Sequence, residues 1–131
     1  MKYLITLLLL VSSMSLTAQD EQLLGTWLSS EGNMIFDSDG FVTIEYETAT
    51  IGGKEFDMNG IKASMVYKTD YSTNPYSITM TIKMGQDEVL GTLYGFFEFV
   101  DDKTLRMAAG ELDQKITAMT AANTIVFKRK E

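Results

Sequence analysis

Apolar and polar side chains alternate along most of this chain, and glycine, asparagine and aspartate interrupt the alternation at short intervals. In the clearest example, the segment 76–84, every second residue is apolar and those between are Ser, Thr or Lys. A period of two indicates a β-strand with one buried and one solvated face. The same alternation in the segments 42–46, 61–67 and 124–128 predicts further strands of this kind.

Turn signals separate these segments. Asp37-Ser38-Asp39-Gly40, Gly52-Gly53 and Asn59-Gly60 are residue types that accept the positive φ angles of tight hairpins. Short strands joined by tight turns predict an all-β fold, an antiparallel up-and-down meander of about eight strands. Because strands with one buried face hide their edges most easily by closure, we expect the meander to form a β-barrel.

Three stretches depart from this regular pattern. Gly91 and Gly95 lie on one face of a long strand, where missing side chains allow strong curvature. The segment Glu111 to Ala122 is rich in Ala and Met and predicts either a short helix or a long loop over one barrel mouth. The residues between Gly53 and Gly60 are interpreted as a long connection.

The N-terminus has the pattern of a secretory signal peptide. Lys2 precedes the apolar run Leu4–Val11, and small residues follow up to Ala18. Residues 1–18 are therefore predicted to be a cleaved leader and 19–131 a single domain, secreted or periplasmic. Since no cysteine follows the leader, we expect no lipid anchor in the membrane.

Composition narrows the possible chemistry. The 131 residues carry a net charge of -7 and include no Cys and no His. Zinc sites, Cys or His nucleophiles and Ser-His-Asp triads are thereby excluded, and we expect no metal and no cofactor. The acidic balance argues against nucleic acid as a partner. Asp37-x-Asp39-Gly40 resembles the start of a calcium loop, but Thr48 stands where the twelfth-position Glu is needed, so a hairpin turn is preferred.

Catalysis by carboxylates is the least favoured function, and we expect no catalytic residue and no enzyme activity. Most acidic residues fall in turns or on the wet faces of strands, whereas acid–base catalysis needs a carboxylate held in a shaped, partly dry cavity. Glu98 lies within a run of phenylalanines and is expected to point inward, where Arg106 or a backbone amide would satisfy it.

The segment Gly25-Thr26-Trp27, directly after a short N-terminal stretch, resembles the Gly-x-Trp signature of lipocalins and of small bacterial lipocalin-like proteins. The blocks 67–75, 95–105 and 125–129 are also similar to a bacterial lipocalin-like family of unknown function. The resemblance implies that Trp27 plugs one end of the barrel, with Gly25 before it. It also implies that a basic residue of the last strand, Arg129 or alternatively Lys128, packs over the indole.

The resemblance and the alternation together suggest a ligand site inside the barrel. A barrel of about eight strands either fills itself with side chains or holds one small ligand, and both alternatives remain open. In the ligand hypothesis the partner is a small hydrophobic molecule, oriented by Tyr46 or Tyr67. The candidate lining consists of the alternating apolar positions Phe36, Ile44, Tyr46, Ile61, Met65, Tyr67, Ile78, Met80, Ile82, Leu93, Phe97, Met107, Ile125 and Phe127.

The alternative function is a protein-interaction module that has a filled core and binds through its loops. Exposed aromatic residues in the connections would favour it, and Phe56 and Tyr71 are the candidates. The sequence does not determine the oligomeric state.

Overall fold

The structure is a computed structural model that describes residues 18–131. The predicted leader, apart from Ala18, lies outside the described residues. One helix and nine strands follow each other along this part of the chain: α1 (Ala18–Leu23), β1 (Gly25–Ser29), β2 (Gly32–Phe36), β3 (Val42–Glu45), β4 (Thr50–Met58), β5 (Ile61–Asp70), β6 (Tyr76–Met84), β7 (Glu88–Asp101), β8 (Thr104–Ala109) and β9 (Thr124–Arg129).

The nine strands form a closed antiparallel barrel in which each strand pairs with the next in sequence. The first and last strands close it, with Trp27 opposite Arg129 and Leu28 opposite Lys128. This confirms the predicted all-β up-and-down barrel, and its nine strands are consistent with the expected number of about eight. Within the described residues, no helix is long and apolar enough to cross a membrane.

In the barrel, the apolar residues of the alternating pattern face the interior and the residues between them face outward. In β6 the apolar residues Ile78, Met80 and Ile82 are buried, whereas the threonines between them are partly exposed. The inward positions of the other strands complete one hydrophobic core, whose buried members also include Leu23, Trp27, Met34, Phe36, Val42, Ile44, Ala63, Met65, Phe97, Leu105, Met107 and Phe127.

The two ends of the barrel are built differently. We call one the helix end; it consists of α1 and the turns 37–41, 71–75 and 102–103. Hydrogen bonds tie these parts together, such as the one from the Tyr71 hydroxyl to Asp20 Oδ1 (2.9 Å). We call the other the loop end; it consists of the turns 30–31 and 46–49 and the long loop 110–123.

Strand β4 corrects two of the sequence-based expectations. Gly52-Gly53 is not the turn between two strands, and most of the residues between Gly53 and Gly60 form strand rather than a long connection. Both glycines have positive φ, and the strand pairs with β3 up to Gly52 and with β5 from Gly53 onward. A Cβ atom at Gly52 would lie 2.3 Å from the Val42 carbonyl oxygen. The glycine pair therefore permits a change of neighbours within one strand. Asn59-Gly60 does form the predicted turn.

The long strand β7 extends beyond its neighbour β8, and the loop 110–123 covers the unpaired part. The Asp113 amide donates to the Thr92 carbonyl (2.7 Å), and Asp113 Oδ1 accepts from the Thr92 amide (2.9 Å). The Leu112 side chain occupies the space left by the missing Cβ of Gly91. Of the two alternatives for this segment the loop is correct, and the helix does not form.

Candidate functional site

Trp27 lies at the helix end and is fully buried. Its indole Nε1 donates a hydrogen bond to the Leu23 carbonyl oxygen (2.8 Å), which satisfies its one polar group within the core. The ring of Phe99 lies 6.3 Å away, centroid to centroid. Leu23, itself fully buried, brings the C-terminal end of α1 against the barrel. This end of the barrel is therefore closed by packed side chains.

The side chain of Arg129, in the last strand, stabilises this closed end of the barrel. Its guanidinium carbon lies 4.2 Å from the centroid of the Trp27 ring, which is a cation–π contact. The same group donates to the carbonyl oxygens of Leu24 (2.7 Å), Gln22 and Asp102 (3.1 Å). Of the two basic residues considered, Arg129 is the one over the indole. Lys128 instead donates to the Thr104 hydroxyl (2.9 Å).

A cluster of aromatic rings fills the interior next to this closure. The Phe97 ring is fully buried and lies 5.5 Å from that of Tyr76 and 5.8 Å from those of Tyr71 and Phe99. Edge-to-face contacts of this kind add to the stabilisation that burial alone provides. The barrel interior at the helix end is therefore filled by packed side chains.

Two tyrosine side chains at the helix end, Tyr67 and Tyr71, have raised pKa values. The Tyr67 hydroxyl donates to the Asp37 carbonyl oxygen (3.1 Å). Burial, with the nearby carboxylates of Asp20 and Asp37, raises the pKa of Tyr67 to about 12. Burial and the hydrogen bond to Asp20 likewise raise the pKa of Tyr71. Both phenols therefore keep their protons to a higher pH than an exposed tyrosine would, and they act as hydrogen-bond donors.

The loop end contains a cavity of about 240 Å³ inside the barrel wall. Its floor is apolar, and its mouth lies where β1, β3 and β8 end. Buried residues such as Met80 and Met107 and exposed ones such as Glu31 both contribute to the lining, so the cavity reaches from the core to solvent. The full lining is Ser29, Glu31, Gly32, Asn33, Met34, Ile44, Tyr46, Met80, Leu93, Met107, Ala109, Gly110, Ile125 and Phe127.

The residues predicted to line a ligand site divide into two groups. The structure brings seven of them together around this cavity: Ile44, Tyr46, Met80, Leu93, Met107, Ile125 and Phe127. The others lie outside the cavity lining; Phe36, Met65, Ile78, Ile82 and Phe97 are buried in the filled core, Tyr67 packs against Phe36, and Ile61 is 42% exposed at the start of β5. Of the two phenols considered for orienting a ligand, only Tyr46 reaches the cavity.

Half of the residues that line the cavity were not predicted from the sequence. Met34 alternates with Phe36 in the same strand, and this pattern could have identified it. Ser29, Glu31 and Asn33 belong to a turn and its flanks, and Ala109 and Gly110 to the end of β8 and the loop that follows. Nothing in the residue types of a turn shows that it borders a cavity, because this depends on how the barrel closes.

The polar groups at the cavity mouth are partly engaged with each other. The Asn33 side-chain oxygen accepts from the Ser29 amide and its nitrogen donates to Glu45 Oε1, both at 3.4 Å. The Ser29 hydroxyl donates to the Gly32 carbonyl. Within residues 18–131, the Glu31 carboxylate and the Tyr46 hydroxyl form no hydrogen bond or ion pair. These two groups are therefore available at the mouth.

The carboxylates of Glu98 and Asp37, considered above for other roles, are bonded within the protein. Glu98 does not point inward as expected; it lies on the outer face directly opposite Arg106 and forms an ion pair with it, with both side chains more than one-third exposed. Its inward neighbours Phe97 and Phe99 occupy the core, and alternation places it outside. Asp37 Oδ1 accepts from the amides of Asp39 (3.0 Å) and Phe41 (2.9 Å), as in a hairpin turn. No metal-binding cluster of carboxylates occurs among the described residues.

The two aromatic candidates for protein binding through loops, Phe56 and Tyr71, are not fully exposed. Phe56 lies in β4 rather than in a connection, and both Phe56 and Tyr71 are partly buried against the core. The Tyr71 hydroxyl is also bound to Asp20. Neither position therefore provides the exposed aromatic side chain that would favour the alternative function.

Comparison of the chain with protein-family models, with curated proteins and with solved structures finds no match.

Proposed function

We propose that this protein is a secreted or periplasmic, lipocalin-like barrel that binds a small apolar molecule noncovalently at its loop end. The cavity of about 240 Å³ is the observation on which the proposal rests. Ligand pockets are usually concave and mainly apolar with a few polar groups, and span about 300–1,000 Å³. The cavity has this character and lies just below this range, so the ligand is expected to be smaller than a typical drug.

The chemistry of the floor supports an adaptable apolar contact. Met34, Met80 and Met107 line it, and the flexible thioether side chain adjusts to ligands of different shape. The helix end supports the proposal indirectly. Trp27 and the rings beside it close that end, so the cavity opens at the loop end of the barrel.

Binding can be tested with 1-hexanol, a small uncharged probe, and with protein labelled at the methionine methyl groups. We expect saturable NMR shifts for the methyl groups of Met34, Met80 and Met107, which line the cavity. The Met65 methyl group should not shift, since Met65 is fully buried outside the lining.

A matched pair of variants locates the binding. Ala109 is exposed and lines the cavity, so Ala109→Trp should block the mouth and abolish the shifts. Val100 is 59% exposed on the outer face of β7, and Val100→Trp should leave the shifts unchanged. The proposal is overturned if hexanol causes no saturable shift, or if the shifts persist in Ala109→Trp.

A further inference from the structure

The cavity mouth carries negative charge and has no positive partner. Of the fourteen residues that line the cavity, Glu31 is charged and none is Lys or Arg. A shallow depression that adjoins the mouth shares Glu31 and adds Glu45 and Glu47, again without a basic residue in its lining. A ligand carboxylate would therefore enter against like charge, whereas a cation would enter with favourable electrostatics.

An exposed aromatic side chain lines the same mouth as this carboxylate. Tyr46 is 50% exposed and lines both the cavity and the adjoining depression. Its Cδ1 atom lies 3.6 Å from the position that a Cβ of residue 32 would occupy, which places the ring next to the Gly32 backbone at the mouth. The face of a tyrosine ring attracts ammonium groups, and aromatic side chains recognise alkylated ammonium ligands in this way.

The remaining polar groups of the mouth do not compete for the same role. The Ser29 hydroxyl and both polar atoms of the Asn33 side chain are already engaged within the protein. The Glu31 carboxylate and the Tyr46 ring are thus the groups left to meet a ligand head, and both favour a positive charge.

We infer that the ligand is an alkylammonium-type molecule, with its cationic head between Glu31 and Tyr46 and its short apolar body in the cavity. The inference rests on the proposed function and adds the chemical class of the ligand. The body would lie against Leu93, Met80 and Met107, below the charged mouth.

The contribution of the ligand's charge to the affinity can be separated from that of apolar contact with three probes of equal chain length. These probes are hexylammonium, 1-hexanol and hexanoate, each titrated at neutral pH and low ionic strength. We expect hexylammonium to bind about tenfold more tightly than 1-hexanol, the sum of one exposed ion pair and one cation–π contact. Hexanoate should bind more weakly than 1-hexanol. Added salt should reduce the preference for hexylammonium because it screens the mouth charges.

Two variants test the residues that carry the preference. Glu31→Gln and Tyr46→Leu should each reduce the affinity for hexylammonium several-fold while leaving the affinity for 1-hexanol nearly unchanged. Glu21→Gln is the matched control, because it removes the same charge from an exposed position of α1 at the helix end. It should change neither affinity.

The outcomes distinguish this inference from the proposed function. If 1-hexanol and hexylammonium both fail to bind, the ligand cavity itself is refuted. If 1-hexanol binds in the cavity but hexylammonium binds no more tightly, the ammonium inference is overturned and the apolar site stands. A preference that survives in both Glu31→Gln and Tyr46→Leu would likewise overturn the assignment of the head to these residues.

Discussion

The two ends of this barrel are built from the same alternating strands yet hold different contents. At the helix end, Trp27 and Phe97 are fully buried and neighbouring rings occupy the space between the strands. At the loop end, the inward residues are mainly Met, Leu and Ile, and a cavity remains. Alternation therefore defines the inner face of the barrel, whereas side-chain size and the covering segments decide whether side chains fill the interior.

The covering segments differ in how they are fastened. α1 is held by Arg129, whose guanidinium binds the carbonyl groups of Gln22 and Leu24, and by Asp20, which accepts from Thr69 and Tyr71. The loop 110–123 is held mainly by backbone contacts of its first residues to the edge of β7. Lys115 adds a cation–π contact to the same strand, with its Nζ 5.2 Å from the centroid of the Tyr94 ring. The loop is therefore fastened along β7, whereas α1 is bonded to residues of β5 and β9.

The largest expected effect compares two inward residues of the same strand. Phe97→Ala should lower the free energy of unfolding by about 3–5 kcal/mol, because it empties a packed site. Leu93→Ala should lower it by only about 1–2 kcal/mol, because Leu93 is partly exposed to an existing cavity. Urea denaturation of the two variants measures the difference. Equal losses would show that the two ends are packed alike.

A smaller effect is expected for the basic residue over the indole. Arg129→Met retains most of the apolar side chain but removes the cation–π contact and the donors to three carbonyl groups. We expect a loss of about 1–3 kcal/mol in chemical denaturation. Lys130→Met is the control, since Lys130 is exposed and its backbone amide, not its side chain, bonds to Thr26. A loss as large in the control would contradict the role of Arg129.

The smallest effect is a pH dependence at the helix end. Because the pKa of Tyr67 is raised from 10.0 to about 12, folding favours the protonated phenol. Its contribution to stability is complete below about pH 10 and is lost as the pH rises toward 12. Tyr67→Phe removes the hydrogen bond to Asp37 and should cost about 1 kcal/mol at neutral pH.

The unfolding free energies of the wild type and of Tyr67→Phe should therefore converge between pH 10 and pH 12. Denaturation at a series of alkaline pH values measures this. A constant difference over that range would mean that the phenol titrates normally.

Much of the fold was predictable because it depends on local pattern. The alternation in β6 identifies Ile78, Met80 and Ile82 as inward residues, and they are buried. Asn59-Gly60 is a turn in sequence and in structure because both residues adopt positive φ there. The pair Gly52-Gly53 carries the same local signal but lies within β4, since its positive φ angles serve a change of strand partner.

The candidate site was predictable only in part. Seven apolar residues of the cavity follow from alternation, but alternation cannot separate Met80, which lines the cavity, from Met65, which is packed in the core. The polar mouth, Glu31 and Asn33 above all, was not predicted. These residues line the same cavity as residues of β8 and β9 because the barrel closes. Their positions along the chain do not indicate this proximity.

The sequence by itself determined the strand faces, the antiparallel order and the chemistry that this chain lacks, because each depends on residue type and near neighbours. Only the tertiary structure decided which end of the barrel is filled and which basic residue covers Trp27. These depend on the distances between side chains from strands far apart in sequence, and those distances are set when β1 meets β9.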